Sequence, residues 1–276
     1  MQTGVKVTTQ TIRQLKGQRP IVCITAYDTI IATLVDRAGV DLILVGDSVG
    51  TTQLGFDTTI PVTMDMMAHH TAAVARAKPN ALVVADLPFG EARHSTDRLL
   101  DCCMRLMQQS GAEAIKIEGG MNIAANVARL VQAGIPILGH IGLLPQRYYA
   151  MGGYRKFGKE TNEREKILAD AKALEDAGVF AIIGEMIQPD LTAQITKAVH
   201  VPFIGIGCGT ECDGQILVST DVLGLNLGKY PGFVKKYAEL GQAVHQAISA
   251  YKDEVIERRF PAQAALPRTT GPVVSQ

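Results

Sequence analysis

Leu42-Ile43-Leu44-Val45-Gly46-Asp47 decides how this chain reads: four apolar residues in a row, a glycine, then a carboxylate. The same phrase returns as Ala81-Leu82-Val83-Val84-Ala85-Asp86, as Ala114-Ile115-Lys116-Ile117-Glu118 and as Phe180-Ala181-Ile182-Ile183-Gly184-Glu185. Short apolar runs without alternation mark strands buried on both faces, as in parallel sheets. Parallel strands in one sheet bring the four carboxylates to one rim. Like charges raise each other's pKa and oppose ionisation, so such a cluster calls for a bound cation. The carboxyl ends of parallel strands are also where α/β enzymes work.

Four further runs read as strands: Ile21-Val22-Cys23-Ile24, Ile135-Pro136-Ile137-Leu138, Phe203-Ile204-Gly205-Ile206 and Val222-Leu223-Gly224-Leu225. Helical spacing fills the gaps. Ile123, Val127, Leu130 and Val131 precede the stop signal Gly134, and Leu99, Cys103 and Leu106 follow Ser95 as N-cap. Ile167, Ala171 and Leu174 repeat the spacing, and Phe233, Tyr237, Leu240, Val244, Ile248, Tyr251 and Val255 predict one long final helix. Eight strands alternating with helices predict a single (β/α)8 barrel over residues 1–259, its first 18 or so residues capping the base. A doubly wound open sheet is the runner-up. It would carry a Gly-rich phosphate loop after the first strand, where this chain has Thr25-Ala26-Tyr27-Asp28. The stretch from Ile141 to Thr161 is long for a strand-to-helix connection and holds Gly152-Gly153, so it reads as a lid or binding loop. Residues 260–276 are Pro-rich and aperiodic and read as a tail.

Composition excludes several classes. Lys plus Arg and Asp plus Glu balance at 27 each, so nothing points to nucleic acid or an anionic membrane as partner. No apolar stretch approaches the ~20 residues of a membrane span. Met1-Gln2-Thr3-Gly4-Val5-Lys6 lacks the apolar region of a signal peptide. A cytoplasmic protein acting on small molecules is expected. The five cysteines fit no disulfide framework, and Cys208 and Cys212 have no further zinc ligands nearby, so reduced thiols are expected.

Asp47, Asp86 and Glu118 are the candidate metal group. Carboxylate oxygens are hard ligands and favour Mg²⁺, with Mn²⁺ or Co²⁺ as alternatives. Singly, each reads equally well as a helix N-cap or a surface ion-pair partner; three on neighbouring strand ends favour the metal. Lys116 shares a strand face with Glu118 and, inside an apolar run, needs a partner: an anionic substrate or the carboxylates themselves. His140 is either a hydrogen-bonded core residue or a polar group of the site, and it stands among the substrate-binding candidates. Ser48 has no nucleophile elbow around it and reads as a hydrogen-bonding contact to substrate. Glu185, beside rather than on the metal group, is the candidate general base.

Val45-Gly46-Asp47-Ser48, Ala85-Asp86-Leu87-Pro88-Phe89, Ile115-Lys116-Ile117-Glu118-Gly119-Gly120, Gly139-His140-Ile141-Gly142-Leu143 and Asp213-Gly214-Gln215 together resemble the ketopantoate hydroxymethyltransferase family. Ile24-Thr25-Ala26-Tyr27-Asp28, Pro61-Val62-Thr63, Gly152-Gly153-Tyr154 and Gly205-Ile206-Gly207 extend the likeness, in order, from about residue 20 to 253. The resemblance implies a TIM-type barrel of the phosphoenolpyruvate/isocitrate lyase superfamily kind and a homo-oligomer, commonly a decamer. It implies transfer of a hydroxymethyl group from methylenetetrahydrofolate to α-ketoisovalerate (3-methyl-2-oxobutanoate), giving ketopantoate. That is the first committed step towards pantothenate and coenzyme A, and it runs through a Mg²⁺-stabilised enolate. Matching positions make Asp47, Asp86 and Glu118 the Mg²⁺ group, Asp47, Ser48, Asp86 and Lys116 the keto-acid contacts, and Glu185 the proton acceptor. The chain departs from the family pattern at Phe56, Leu144, Gly184, Met186, Cys208 and Gly232, none of them a proposed ligand or base. The competing readings are a Mg²⁺-dependent C–C lyase of the same superfamily acting on another α-keto acid, and a non-catalytic barrel.

Overall fold

The computed structural model describes residues 4–261. Eight parallel strands close into a barrel in chain order: β1 Ile21–Thr25, β2 Leu42–Val45, β3 Leu82–Asp86, β4 Ala114–Glu118, β5 Ile137–Gly142, β6 Ala181–Glu185, β7 Phe203–Ile206 and β8 Gly214–Leu217. The ring is sealed by pairing of β1 with β8, which rules out the open sheet. Register sets the chemistry in place: Asp86 pairs with Lys116, Glu118 with His140 and Gly142 with Glu185 along one rim.

Alternation along the strands sorts their residues. Ile21, Cys23, Leu42, Leu44, Leu82, Val84, Ala114, Leu138, Ile183, Ile204 and Ile216 fill the inside of the barrel, while Ile43, Val83, Ile115, Ile137 and Ile182 join the outer layer with the helices. The helices are α1 Thr9–Leu15, α2 Thr29–Arg37, α3 Val49–Thr52, α4 Met64–Ala75, α5 Thr96–Met104, α6 Ala124–Gln132, α7 Tyr148–Met151, α8 Thr161–Asp176, α9 Pro189–Ala198, α10 Ser219–Val222 and α11 Leu240–Ile256. Side-chain caps start several of them. Asp28 accepts from the Ile31 N–H at 2.8 Å to open α2, and Thr63 accepts from Met66 to open α4. Ser95 holds the N-cap position of α5 without making a side-chain cap bond. At the base, α1 places Ile12, fully buried, in the inner cluster.

Two sequence expectations are corrected. The eighth strand is Gly214–Leu217, not Val222–Leu225. Only Ile216 of β8 reaches the inner cluster and Gln215 is exposed, so the strand carries no long apolar run. It must also pass close to β1: a Cβ on Gly214 would stand 2.4 Å from the Ile21 carbonyl oxygen. Val222–Leu225 instead offers carbonyls to a later segment, Val222 to the Tyr237 N–H and Leu223 to the Leu240 N–H. That pairing explains the second correction. The last helix starts at Leu240 rather than near Phe233, because the backbone around Tyr237 is used against residues 222–224.

The described chain divides into two units. The barrel unit runs to Ser219 and takes in Gly232–Val234; the smaller unit takes in Thr220–Pro231 and Lys235 onward, including α11. The Pro-rich tail expected at 260–276 lies outside the described residues from 262 on. The five cysteines are all free thiols.

Candidate active site

A cavity of about 110 Å³ opens at the carboxyl ends of the strands. Every residue singled out from the sequence lines it: Asp47 and Ser48 just past β2, Asp86 at the end of β3, Lys116 and Glu118 on β4, His140 on β5 and Glu185 at the end of β6. Asp86, Lys116, Glu118, His140 and Glu185 continue the inward-facing alternation of their strands, where the apolar core gives way to polar chemistry. With eight strands in chain order, β6 stands across the barrel from β2. The proposed base therefore faces the carboxylate group instead of belonging to it.

Asp86 is the pivot. One of its oxygens accepts from Lys116 Nζ at 2.6 Å and the other from the Asp47 N–H at 3.0 Å, all in buried surroundings. Burial pulls the Lys116 pKa down, but the carboxylates of Asp86, Glu118 and Asp47 outweigh it and raise the ammonium above its ordinary value. The side chain is a fixed cation. Burial, with Asp86 and Glu118 adding to it, raises Asp47 well above its ordinary value against the pull of Lys116 and Gln146. Burial likewise pushes Glu118 up to about 7, with Lys116 opposing and Asp86 reinforcing. His140 moves the other way: burial and the nearby Lys116 ammonium lower its pKa and favour the neutral ring, while Glu185 pulls back.

His140 stands between two carboxylates. Nδ1 is 3.3 Å from Glu118 Oε1 and Nε2 is 3.2 Å from Glu185 Oε2. Both ring nitrogens and Glu118 Oε1 are nonetheless buried without a properly directed hydrogen bond. Buried polar atoms of this kind are costly and cluster where a ligand completes the site. Glu185 is the more open of the two acids, at 17% side-chain exposure against 3% for Glu118.

The hard-oxygen donor set fits a divalent cation. Ionised together, Asp47, Asp86 and Glu118 carry three negative charges against the single positive charge of Lys116, and Glu118 Oε1 has no donor. Among the described residues no three His, Cys, Asp or Glu close into a metal cage. Mg²⁺ does not need one, since it is held by one or two carboxylates with water or substrate completing its octahedron.

Sequence reasoning missed Gln146. It sits in the single turn Pro145–Arg147 that follows β5, and it is buried. Its Nε2 donates to Asp47 Oδ2 at 2.9 Å and to the Leu87 carbonyl at 2.8 Å, while its backbone N–H donates to Glu118 Oε2 at 3.2 Å. One residue of the long β5–α8 connection thus ties together three strand ends. The only signal was an amide directly after the apolar Leu143-Leu144-Pro145. Tyr27 was also missed; its hydroxyl lies 2.8 Å from Ser48 Oγ and orients it. His69 and His70, read as structural, sit on α4, where His70 Nδ1 meets the Tyr27 carbonyl oxygen.

The family model for ketopantoate hydroxymethyltransferase matches residues 6–263. A 3-methyl-2-oxobutanoate hydroxymethyltransferase of Caldivirga maquilingensis is 50% identical over 257 residues, covering 93% of this chain and 96% of its own. One of Staphylothermus marinus is 51% identical over 256 residues, covering 93% and 94%. Among solved structures, 2,3-dimethylmalate lyase, a PEP mutase/isocitrate lyase superfamily member, aligns over 98% of this chain and 93% of its own with a TM-score of 0.59 at 16% identity. Phosphonopyruvate hydrolase in complex with oxalate and Mg²⁺ aligns over 95% and 92%, with a TM-score of 0.56 at 16% identity. These two likenesses carry the fold alone.

Proposed function

Because the chain belongs to the ketopantoate hydroxymethyltransferase family, we propose that its barrel cavity binds α-ketoisovalerate and hydroxymethylates it from methylenetetrahydrofolate, giving ketopantoate. The observation that carries the residue assignment is the division of the cavity wall. A fixed cation and three buried carboxylates stand on β2, β3 and β4, and a more open carboxylate, Glu185, stands across from β2.

Each side chain has a task that follows from its surroundings. The Lys116 ammonium attracts the keto acid's negative charge without giving up its own proton. Ser48, oriented by Tyr27, offers a hydroxyl to the substrate. Glu185 accepts the C3 proton, and His140, with Nε2 3.2 Å from Glu185 Oε2, lends the substrate a polar edge beside it. Gln146 fixes the Asp47 carboxylate. Asp47, Asp86 and Glu118 would hold Mg²⁺. That cation, when bound, withdraws electrons from the keto group and so acidifies the neighbouring C–H. No helix among the described residues is long and apolar enough to cross a membrane, and we take the enzyme to act in the cytoplasm as a homo-oligomer.

The test is product formation from α-ketoisovalerate and methylenetetrahydrofolate with Mg²⁺ present, removed by chelator, and restored. Ketopantoate appears, disappears and reappears on this reading. Full turnover in metal-free enzyme contradicts the metal assignment, and absence of ketopantoate under every condition contradicts the substrate pair. The lyase alternative predicts cleavage of a larger keto acid instead, and no observation in the cavity favours it.

A further inference from the structure

The inner cavity, at about 110 Å³, is well below the ~300–1,000 Å³ of pockets that bury a drug-sized ligand. It has room for a small keto acid and none for a reduced folate. On the functional reading above, on which this inference rests, the co-substrate must seat its ring system at the cavity mouth.

The β5–α8 connection is anchored at two points next to residues that line the cavity. At its start, Gln146 is bound to Asp47, Glu118 and the Leu87 carbonyl. At its end, the Phe157 N–H donates to the Met186 carbonyl at 2.7 Å and the Gln188 N–H to the Phe157 carbonyl at 2.9 Å, pairing Phe157 with Ile187 just beyond Glu185. Between the anchors lie three of the chain's seven tyrosines, in a chain without tryptophan. Tyr148 meets Tyr149 edge-on at 5.5 Å and Tyr154 edge-on at 5.1 Å between ring centroids. Gly152 and Gly153, at φ of 72° and 117°, make the turn that brings Tyr154 back onto Tyr148, and the Gly153 N–H closes it on the Tyr148 carbonyl at 3.2 Å. No atom lies within 4 Å of where either glycine would carry a Cβ, so the turn stands clear of the rest of the barrel.

Tyr154 is 55% exposed and Tyr149 73%. Both rest edge-on against the half-buried Tyr148, and amphipathic rings left this open offer a face to a flat partner. Burial of its polar end and then the Glu185 carboxylate push the Tyr154 phenol up to about 12, so the ring stands within the field of the base.

We propose that Tyr148 and Tyr154 form a stacking wall for the pterin ring of the reduced folate, holding its one-carbon group over the cavity mouth. Stacking is a property of the ring face and needs no phenol hydroxyl. A heteroaromatic ring on an aromatic side chain gains about 5- to 150-fold in affinity.

The experiment is steady-state kinetics with each substrate varied in turn, together with calorimetric titration of tetrahydrofolate into parent, Tyr154→Ala and Tyr154→Phe. The wall predicts that Tyr154→Ala raises the KM for methylenetetrahydrofolate and weakens tetrahydrofolate binding about tenfold or more, with a far smaller change in the KM for α-ketoisovalerate. Tyr154→Phe stays within about twofold of the parent on both. If the parent binds tetrahydrofolate and makes ketopantoate while Tyr154→Ala keeps the parent's folate KM, the wall is overturned and the functional reading stands. Equal damage by Phe and Ala also overturns it, because the hydroxyl would then carry the effect. A parent that neither binds tetrahydrofolate nor makes ketopantoate overturns the functional reading and the wall with it.

Discussion

Lys116 is the residue whose chemistry the structure decides most sharply. A lysine on a barrel strand can run aldol chemistry through a Schiff base, but only as a neutral amine. Here it donates to Asp86 at 2.6 Å, and three carboxylates hold it charged. Borohydride added with α-ketoisovalerate therefore leaves the protein unmodified by mass and still active; a mass gain matching a reduced keto-acid adduct on Lys116 contradicts the assignment. Lys116→Ala strands a buried Asp86 carboxylate and costs about 3–5 kcal/mol in denaturant unfolding, together with a rise in keto-acid KM. All seven residues named from the sequence line the cavity: the four acids because an acid directly after an apolar run has one natural place in a parallel barrel, and Ser48, Lys116 and His140 because they stand on or next to the same strand ends. Gln146 was not legible. Its importance comes from the path of a loop back over Asp47, which neither its type nor its spacing announces.

At the scale of elements, seven strands were legible because they are largely buried and so are written mostly in apolar residues, with Val22 on β1 left open and Lys116 interrupting β4. The eighth was not. Gly214–Leu217 is short and half-exposed, and a more apolar run a few residues later, Val222–Leu225, drew the assignment. The same competition blurred the start of α11, where amphipathic spacing continues through Tyr237 although that residue's N–H belongs to Val222. The short helix α1 makes a testable case of an element stabilising the barrel from below. Its Ile12 is fully buried among Ile21, Leu42 and Leu82. Ile12→Ala costs about 2–5 kcal/mol in urea unfolding, from lost burial plus the void left behind. A loss under about 0.5 kcal/mol would mean that α1 does not close the barrel. Because the site lies at the other rim, KM values of the folded variant stay at the parent's.

At the scale of the whole molecule, α11 carries an exposed apolar face. Leu240, Val244, Ile248, Tyr251 and Val255 form one stripe along it, between 38% and 62% exposed, and no residue of the helix is buried. On the barrel unit, Val22, Ile30 and Leu34 are similarly open. An apolar stripe left open along a whole helix is the kind of surface that associates, which supports the homo-oligomer proposed above. Ile248→Glu then lowers the sedimentation coefficient to that of a smaller species, whereas an unchanged coefficient means the stripe is not part of the interface. The central claim concerns the opposite wall of the cavity, where Glu185 is the proposed acceptor of the substrate's proton. Its most direct test is exchange of the C3 proton of α-ketoisovalerate with deuterated water, followed by NMR in the parent and in Glu185→Gln. The account predicts exchange by the parent and a loss of about 100-fold or more in a folded variant that still binds the keto acid. Exchange at the parent rate in Glu185→Gln would contradict it and move the base elsewhere, with His140 the first candidate.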